Sequence, residues 1–369
     1  MSNFIAKYEI KNFKKFDFLE IDNIGQINLI TGDNNVGKTC LLESFLINDN
    51  FQKTLVHLNH TLARRGFYFT PQLILDKIEF PDGNYFEYLV KDITSSIQTI
   101  SIFKDNKQLK LNIEFVNKLD INKEDLKLVN EKAAIKNVKG WLKQSINNST
   151  KELQYLYEAE ITDNGEYNYY PFISFNLNYS NDVPDLLREM DNLRQESESK
   201  ASSMNFNHKR EVIDIINEIT NEQINDYQLV TVGSQKMLGI SFKNINNGDF
   251  LPITQLGDGF QKIFRYVVEV MYAKQKGEDR IMIDEIDTGI HYSKLDSFWK
   301  TFVKLIEKTE IQVFATTHSK SCIDSFVDVL NSQNKTDIGR IISLQEENDS
   351  IKSYTYTIEK LNTNFDYRG

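Results

Sequence analysis

The chain has 369 residues, of which 40% are hydrophobic and 26% are charged, and its formal net charge is -10. This size and composition predict a globular protein with two lobes or domains. The acidic balance excludes a uniformly basic, nucleic-acid-coating surface, although a local basic groove stays compatible with it. No stretch approaches the roughly 20 apolar residues that cross a bilayer, and the first residues do not form a signal peptide, so we expect a cytoplasmic protein without a membrane partner.

The N-terminal segment predicts a β-hairpin followed by a phosphate-binding loop. Residues 4–10 and 16–21 have the pattern of paired strands, and 27–31 form a short apolar strand. Residues 32–39 then fit the pattern G-x-x-x-x-G-K-[ST], and 40–47 carry apolar residues at helical spacing. The order strand, loop, helix is the context that this motif requires.

The residue types of this loop suit the triphosphate of ATP and a Mg²⁺ ion. Glycines let the backbone wrap so that successive N–H groups point at phosphate oxygens. Lys38 is expected to reach the outer phosphates, and Thr39 to offer its hydroxyl to Mg²⁺. The predicted nucleotide-binding residues of the loop are Asn34, Asn35, Val36, Gly37, Lys38, Thr39 and Cys40.

The middle of the chain is poor in catalytic residue types. Alternating residues over 74–115 predict an antiparallel meander, whereas 125–157 and 184–200 are predicted to be helices. His57 and His60 have H-x-x-H spacing but no third ligand, so packing or surface roles are favoured over a metal site.

Two further residue types favour structural roles. Cys40 and Cys322 lie far apart in sequence, which favours core thiols over a disulfide or a metal site. Trp141 and the other aromatic residues are expected in the core rather than as platforms for base stacking.

After Lys209 the pattern predicts a helix and strands near 228–232 and 237–242, followed by a glycine turn. The turn stands before a helix that runs to about Lys274. Exposed N–H groups at such a helix start can bind an anion. We therefore expect Gly257, Asp258 and Gly259 to contact the γ-phosphate of a nucleotide held by a second subunit.

The apolar segment 280–283 ends in two acids with different expected roles. Asp284 is predicted to hold the Mg²⁺ shell, and Glu285 to orient and deprotonate the attacking water. Asp287 either reaches across a subunit interface or caps the next helix. A last apolar strand, 311–315, delivers His318 to its C-terminal end, where it is expected to contact the γ-phosphate or the water.

The order of these motifs resembles the AAA_15/AAA_21 group of ABC-type P-loop ATPases. It is similar also to the ATPase part of OLD-family nucleases and, more distantly, to the heads of RecF and SMC proteins. Residues 4–47 and 251–326 carry the resemblance, and about 120–205 lie outside it. It implies an α/β ABC-type head with a mixed sheet, helices on both faces, an antiparallel β subdomain and a helical insertion. The expected domains are an N-terminal lobe (1–118), the insertion (119–207) and a C-terminal lobe (208–369).

The resemblance also implies residue roles. They fall on Lys38 and Thr39 (Walker A), Gly257 to Gly259 (signature), Asp284 and Glu285 (Walker B), Asp287 (D-loop) and His318 (switch histidine). Gly257 departs from the family, because many ABC signatures have a serine there. The Q-loop glutamine is open among Gln52, Gln72 and Gln98.

The resemblance implies partners as well. We expect a homodimer or a higher even-numbered oligomer that closes over ATP. The chain ends at Gly369 without room for a TOPRIM nuclease, so an effector nuclease or toxin of an anti-phage defence system is expected on another polypeptide. DNA is left open as a partner.

Three alternatives remain open. The guanine-reading pattern N-K-x-D occurs at 117–120, 122–125 and 334–337, and three copies indicate composition rather than GTP specificity. A DNA-repair ATPase similar to RecF or SMC heads is the second. The third is a scaffold that uses ATP to dimerise and turns it over slowly.

Overall fold

The computed structural model describes residues 4–50, 53, 54, 57, 61, 97–104, 107–117, 140–147, 149–154, 172–173, 208–232, 235–243 and 249–361. The chain divides into two compact units. Unit 1 comprises residues 1–172, 340–356 and 364–369, and unit 2 comprises residues 173–339 and 357–363.

The described strands and helices alternate along the chain. The strands are β1 (Lys7–Phe13), β2 (Phe16–Ile21), β3 (Ile27–Gly32), β4 (Ile97–Lys104), β5 (Lys107–Asn117), β6 (Gly140–Ile146), β7 (Ser149–Gln154), β8 (Phe172–Ile173), β9 (Ile224–Val232), β10 (Gln235–Phe242), β11 (Leu251–Pro252), β12 (Arg280–Ile283), β13 (Gln312–Thr316), β14 (Gly339–Glu347) and β15 (Ser350–Thr357). The α-helices are α1 (Lys38–Ser44), α2 (His208–Thr220), α3 (Asp258–Gln275), α4 (Leu295–Thr309), α5 (Lys320–Ser332) and α6 (Ile358–Leu361). These elements confirm the predicted α/β class.

Unit 1 contains a six-stranded sheet in the order β2-β1-β4-β5-β6-β7. Every neighbouring pair in it is antiparallel. Buried Tyr8 and Ile10 alternate with more exposed residues on β1, as one buried sheet face requires. The predicted N-terminal hairpin is confirmed, and so is the meander over 97–115; residues 74–96 lie outside the described part.

The helix predicted over 125–157 is wrong for residues 140–154, which form the hairpin β6–β7. Asn147 follows β6 with a φ of 49°, a left-handed conformation that asparagine tolerates in turns. Its side chain accepts the amide of Lys110 at 2.9 Å, and its own amide bonds to the carbonyl of Lys110 at 2.8 Å. The described part of the predicted helical insertion is therefore β-structure, and the predicted helix over 184–200 lies outside the described residues.

Two further features of unit 1 position the phosphate loop. Strand β3 is buried along its whole length except for half-buried Gly32, as expected for a central strand. The hairpin β14–β15 continues the order β15-β14-β3. Asn348 and Asp349, with φ of 49° and 60°, close that hairpin with the left-handed pair that a tight turn favours.

Unit 2 combines helices with short strands. Helix α2 contacts α3 and α4, and α4 contacts α5. Aromatic side chains fill this core, with the rings of Tyr266 and Phe298 centred 6.0 Å apart and those of Trp299 and Phe326 4.7 Å apart. Strands β11, β10 and β9 form an antiparallel sheet, and β12 runs parallel to β13. The helix and strands predicted between Lys209 and residue 315 are confirmed.

Among the described residues, every helix is too short or too polar to span a lipid bilayer.

Candidate functional site

The predicted phosphate loop of unit 1 joins buried β3 to α1 and contains two glycines that the geometry requires. Gly32 has a φ of 138°, and a Cβ there would stand 2.4 Å from the carbonyl oxygen of Leu344. Gly37 has a φ of 106°, and its Cβ would stand 3.0 Å from Cζ of Phe16. Both conformations are costly for residues with a side chain. The glycines of the motif are thus fixed by backbone geometry and by space.

Lys38 lies across the loop that precedes it. Its ammonium donates to the carbonyl oxygens of Gly32 at 2.8 Å and Asp33 at 2.7 Å, and the residue is only 7% exposed. Asn35 has a φ of 66°, so the loop reverses direction before α1. The loop therefore holds the positive charge of Lys38 against its own backbone carbonyls.

The remaining predicted residues of the loop vary in exposure. Val36 is buried, Thr39 and Cys40 are half-buried, and Asn34 is exposed. All of them belong to the one turn between β3 and the first turns of α1.

The β1–β2 turn contacts both the phosphate loop and α1. The sequence pattern did not predict these contacts. Lys14 forms an ion pair with Glu43 of α1, and their side chains are only 4% and 3% exposed. The next residue, Lys15, donates to the backbone carbonyl of Asn35 in the loop. A buried charge is rarely tolerated without a partner, so this pair ties the turn to α1.

The predicted signature turn begins α3 in unit 2. Gly257 is the N-cap residue, is exposed and makes no side-chain cap. A Cβ on Gly257 would meet nothing within 4 Å, so a serine would fit here and packing does not require the glycine. Gly259 differs, because its Cβ would lie 2.8 Å from the carbonyl oxygen of Gly289. The signature turn thus packs directly against the backbone of Gly289, which belongs to the predicted D-loop segment 286–291.

The two predicted Walker B acids, the metal ligand Asp284 and the catalytic Glu285, follow fully buried β12. Asp284 is 9% exposed, and its Oδ1 accepts the hydroxyl of Thr316 at 2.6 Å. Glu285 has a φ of 55°, and its amide donates to the same hydroxyl at 2.8 Å. Left-handed backbone is uncommon for glutamate and concentrates at functional sites. One buried threonine therefore orients both acids.

The hydroxyl of Thr317, the residue directly after β13, bonds to the predicted D-loop aspartate. Thr317 donates to Oδ1 of Asp287 at 2.6 Å, and Tyr266 of α3 donates to the carbonyl of Ile286 at 3.0 Å. His318 then stands exposed just after the strand. The loop from Asp284 to Asp287 is thus tied to β13 and to α3.

Comparison with known proteins assigns the chain to a family. Residues 27–324 match the AAA_21 family, described as "AAA domain, putative AbiEii toxin, Type IV TA system". The chain belongs to the AAA_21 family. An "ATP/GTP phosphatase" of Helicobacter pylori is 22% identical to this AAA_21 chain over 386 residues, covering 98% of both proteins.

Two solved SMC heads share the fold of this AAA_21 protein. One, bound to the C-winged helix domain of ScpA, has a TM-score of 0.53 and 14% identity, covering 97% of this chain and 99% of that chain. The other, derived from Pyrococcus furiosus and bound to the C-terminal domain of ScpA, has a TM-score of 0.51 and 12% identity, covering 97% and 98%. The predicted ABC-type ATPase head is confirmed.

In this AAA_21-type ATPase, the surroundings of the two cysteines and of His57 indicate structural roles. Cys322 is buried, and burial, reinforced by the Asp287 carboxylate, raises the pKa of its thiol to about 12. Cys40 is half-buried and also free of a disulfide. The Nδ1 atom of buried His57 lies 2.7 Å from the carbonyl of Leu46, and His60 lies outside the described residues.

Hydroxyl and carboxylate oxygens are the hard ligands that Mg²⁺ prefers, and Thr39 and Asp284 offer one of each. In the described part of the chain, no group of three His, Cys, Asp or Glu side chains has the geometry to hold a metal ion by itself. A Mg²⁺ ion bound mainly through nucleotide phosphates and water requires no such cluster. Thr39 and Asp284 are thus each of a residue type that suits this ion.

Replacing Thr316 by valine is expected to lower the ATPase rate by about 10- to 100-fold, the usual cost of losing a group that orients a site residue. The valine keeps the shape but leaves the part-buried amide of Glu285 and the carboxylate of Asp284 without this partner. The free energy of unfolding, measured with urea, should therefore fall by about 1–3 kcal/mol. Thr316→Ser keeps the hydroxyl and is the matched control. A Thr316→Val rate equal to that of the serine variant would contradict the positioning role.

Proposed function

We propose that the chain is a Mg²⁺-dependent ATPase that converts ATP and water to ADP and phosphate. The main observation behind the proposal is the phosphate loop, in which two glycines have left-handed φ and the ammonium of buried Lys38 donates to two backbone carbonyls of the loop. Family membership and the name of the Helicobacter pylori relative support the same activity. Phosphoryl transfer needs mostly positioning and charge neutralisation, and the residues of this loop suit both.

The predicted residues of each unit have their own roles in the proposal. In unit 1, the loop N–H groups and Lys38 bind the phosphates, and the Thr39 hydroxyl ligates Mg²⁺. In unit 2, Asp284 holds the Mg²⁺ shell, and Glu285 orients the water and accepts its proton. The bound ion would neutralise phosphate charge and fix the orientation of the triphosphate. His318, exposed at the end of β13, is proposed to contact the γ-phosphate or the water.

The signature turn supports a nucleotide-sandwich dimer. Gly257 and Asp258 are exposed, and the space around Gly257 is open at the start of an 18-residue helix. Backbone N–H groups at such a start attract anions. We therefore propose that this turn contacts the γ-phosphate of ATP held by a second copy of the chain, with Asp287 at the interface between the copies.

ATP is proposed as the preferred nucleotide, although the relative's name includes GTP. The N-K-x-D copy at 334–337 has a structural explanation, because Asn334 ends α5 with a φ of 53° and the amide of Lys335 bonds to the carbonyl of Leu330 at 2.8 Å. This is a common helix-ending arrangement. The other two copies lie largely outside the described residues.

Titration of the purified chain with each nucleotide and Mg²⁺, together with release of phosphate, tests both the activity and the preference. ATP is expected to bind more tightly than GTP and to be hydrolysed faster. Tighter binding of GTP would overturn the choice of nucleotide. Absence of phosphate release from either nucleotide would favour the scaffold alternative, in which ATP serves only to dimerise.

For the biological role, we propose the ATPase subunit of an anti-phage defence system that acts with a separate effector. The support is the resemblance to such subunits and the toxin wording of the family description. Plaque counts on cells that carry the gene with its genomic neighbours, compared with cells that carry a Lys38→Met gene, test this role. Equal plaque counts would contradict it and leave the DNA-repair alternative.

A further inference from the structure

Lys262 is a buried lysine to which the sequence analysis gave no role. It lies one turn into α3, four residues after Asp258, and only 6% of it is exposed. Lysine is rarely buried to this extent unless its charge is used, because desolvating an ammonium group is costly. A hydrophobic residue of similar length would pack here without that cost. The charge itself therefore needs an explanation.

The surroundings of Lys262 connect three functional segments of unit 2. Its Cδ and Cε lie 3.5 Å from the point where a Cβ on Gly289 would stand, and the Cβ of Asp258 lies 3.6 Å from that point. Gly289 has a φ of 79° and allows this close approach of the D-loop to α3. The stem of the lysine thus packs against the D-loop beside the signature turn.

The ammonium of Lys262 lies in the field of three carboxylates. Burial lowers its pKa, the carboxylates of Glu285, Asp258 and Asp287 oppose that shift, and Arg265 adds to it. The three acids come from the signature turn, the end of β12 and the D-loop. The charge of Lys262 therefore offsets part of the mutual repulsion among these three acids.

We propose that Lys262 is a positioning residue that links the signature turn to the hydrolytic acid, because its charge attracts the carboxylates of Glu285 and Asp287 toward the start of α3. The hydroxyls of Thr288 and Thr317 bond to these same two carboxylates at 3.2 and 2.6 Å, so the charge of Lys262 adds to those bonds. This inference rests on the proposed hydrolytic role of Glu285. A γ-phosphate that approaches the signature turn adds negative charge beside this cation and competes with the carboxylates for it. The link thereby couples occupation of the signature turn to the position of the acid that activates water.

Lys262→Met separates this role from simple packing, because methionine keeps the unbranched stem against Gly289 and removes the charge. We expect kcat for ATP to fall about 10- to 100-fold, as for other groups that orient site residues. Binding of the fluorescent analogue mant-ATP should stay within about twofold, since the proposal assigns phosphate binding to Lys38 and the loop N–H groups and not to Lys262. Lys262→Arg keeps the charge and is expected to recover part of the lost kcat.

Stability gives the second readout. The unfolded chain holds the proton of this lysine more tightly than the folded chain does, so the charged form costs folding free energy at neutral pH. Lys262→Met should therefore unfold at the same temperature as the wild type or higher. Lys274→Met, on the exposed part of the same helix, is the control and should change neither kcat nor the unfolding temperature.

A Lys262→Met protein with wild-type kcat, or one whose lost activity accompanies a lower unfolding temperature and weaker mant-ATP binding, would overturn the positioning role. If Glu285→Gln abolishes hydrolysis while Lys262→Met does not, the inference about Lys262 fails by itself. If Glu285→Gln leaves hydrolysis intact, the proposed role of Glu285 fails first, whatever Lys262 does.

Discussion

Replacing Glu285 by glutamine is expected to lower the rate of ATP hydrolysis by about 10²- to 10⁴-fold, the usual contribution of a general base. Glutamine has the same shape but cannot accept the proton of the attacking water. The backbone at this position is held by the bond from its amide to the hydroxyl of Thr316, which the substitution leaves in place. The loss should therefore appear in kcat, measured as phosphate release at saturating ATP.

The same variant also tests the proposed dimer. With hydrolysis blocked and binding intact, Glu285→Gln should accumulate an ATP-bound dimer that elutes earlier than the monomer in size-exclusion runs with ATP and Mg²⁺. Glu310→Gln is a matched control, because Glu310 has the same φ of 55° but is exposed at the end of α4. Hydrolysis by Glu285→Gln at the wild-type rate would assign the base to another residue.

Replacing Lys38 by methionine is expected to weaken nucleotide binding and to slow turnover. A hydrogen bond to a charged group contributes about 1.5–3 kcal/mol, which corresponds to roughly 10- to 150-fold weaker ATP binding. Loss of a charge that stabilises the transition state adds a further factor of about 10²–10³ in kcat. Together kcat/KM should fall by at least about 10³.

The measurement is ATP titration followed by steady-state phosphate release. Lys11→Met, on the exposed side of β1 in the same unit, is the control and should behave like the wild type. The Lys38 ammonium also bonds to the carbonyls of Gly32 and Asp33, so a circular dichroism spectrum should accompany the assay. ATP affinity that matches the control would contradict the phosphate-binding role of this loop.

Much of the fold was predictable because neighbouring residues determine it. The phosphate loop needs a strand, two glycines, a lysine and a helix in immediate succession, and this order is visible in the sequence between Ile27 and Ser44. The pair Asp284 and Glu285 likewise stands at the end of an apolar run that becomes β12. The hairpin at 140–154 was mistaken for a helix because its turn depends on the left-handed conformation of Asn147, a weak local signal.

The sequence by itself therefore determined the family, the phosphate loop and the acid pair, since each depends on residues that are adjacent along the chain. Only the tertiary structure decided which distant side chains bond to the acid pair and to the helix after the phosphate loop. The hydroxyl of Thr316 reaches Asp284 from 32 residues away, and Lys14 pairs with Glu43 from 29 residues away. Gly259 and Gly289 meet for the same reason, because parallel strands and packed helices bring distant segments together, and no spacing pattern records such contacts.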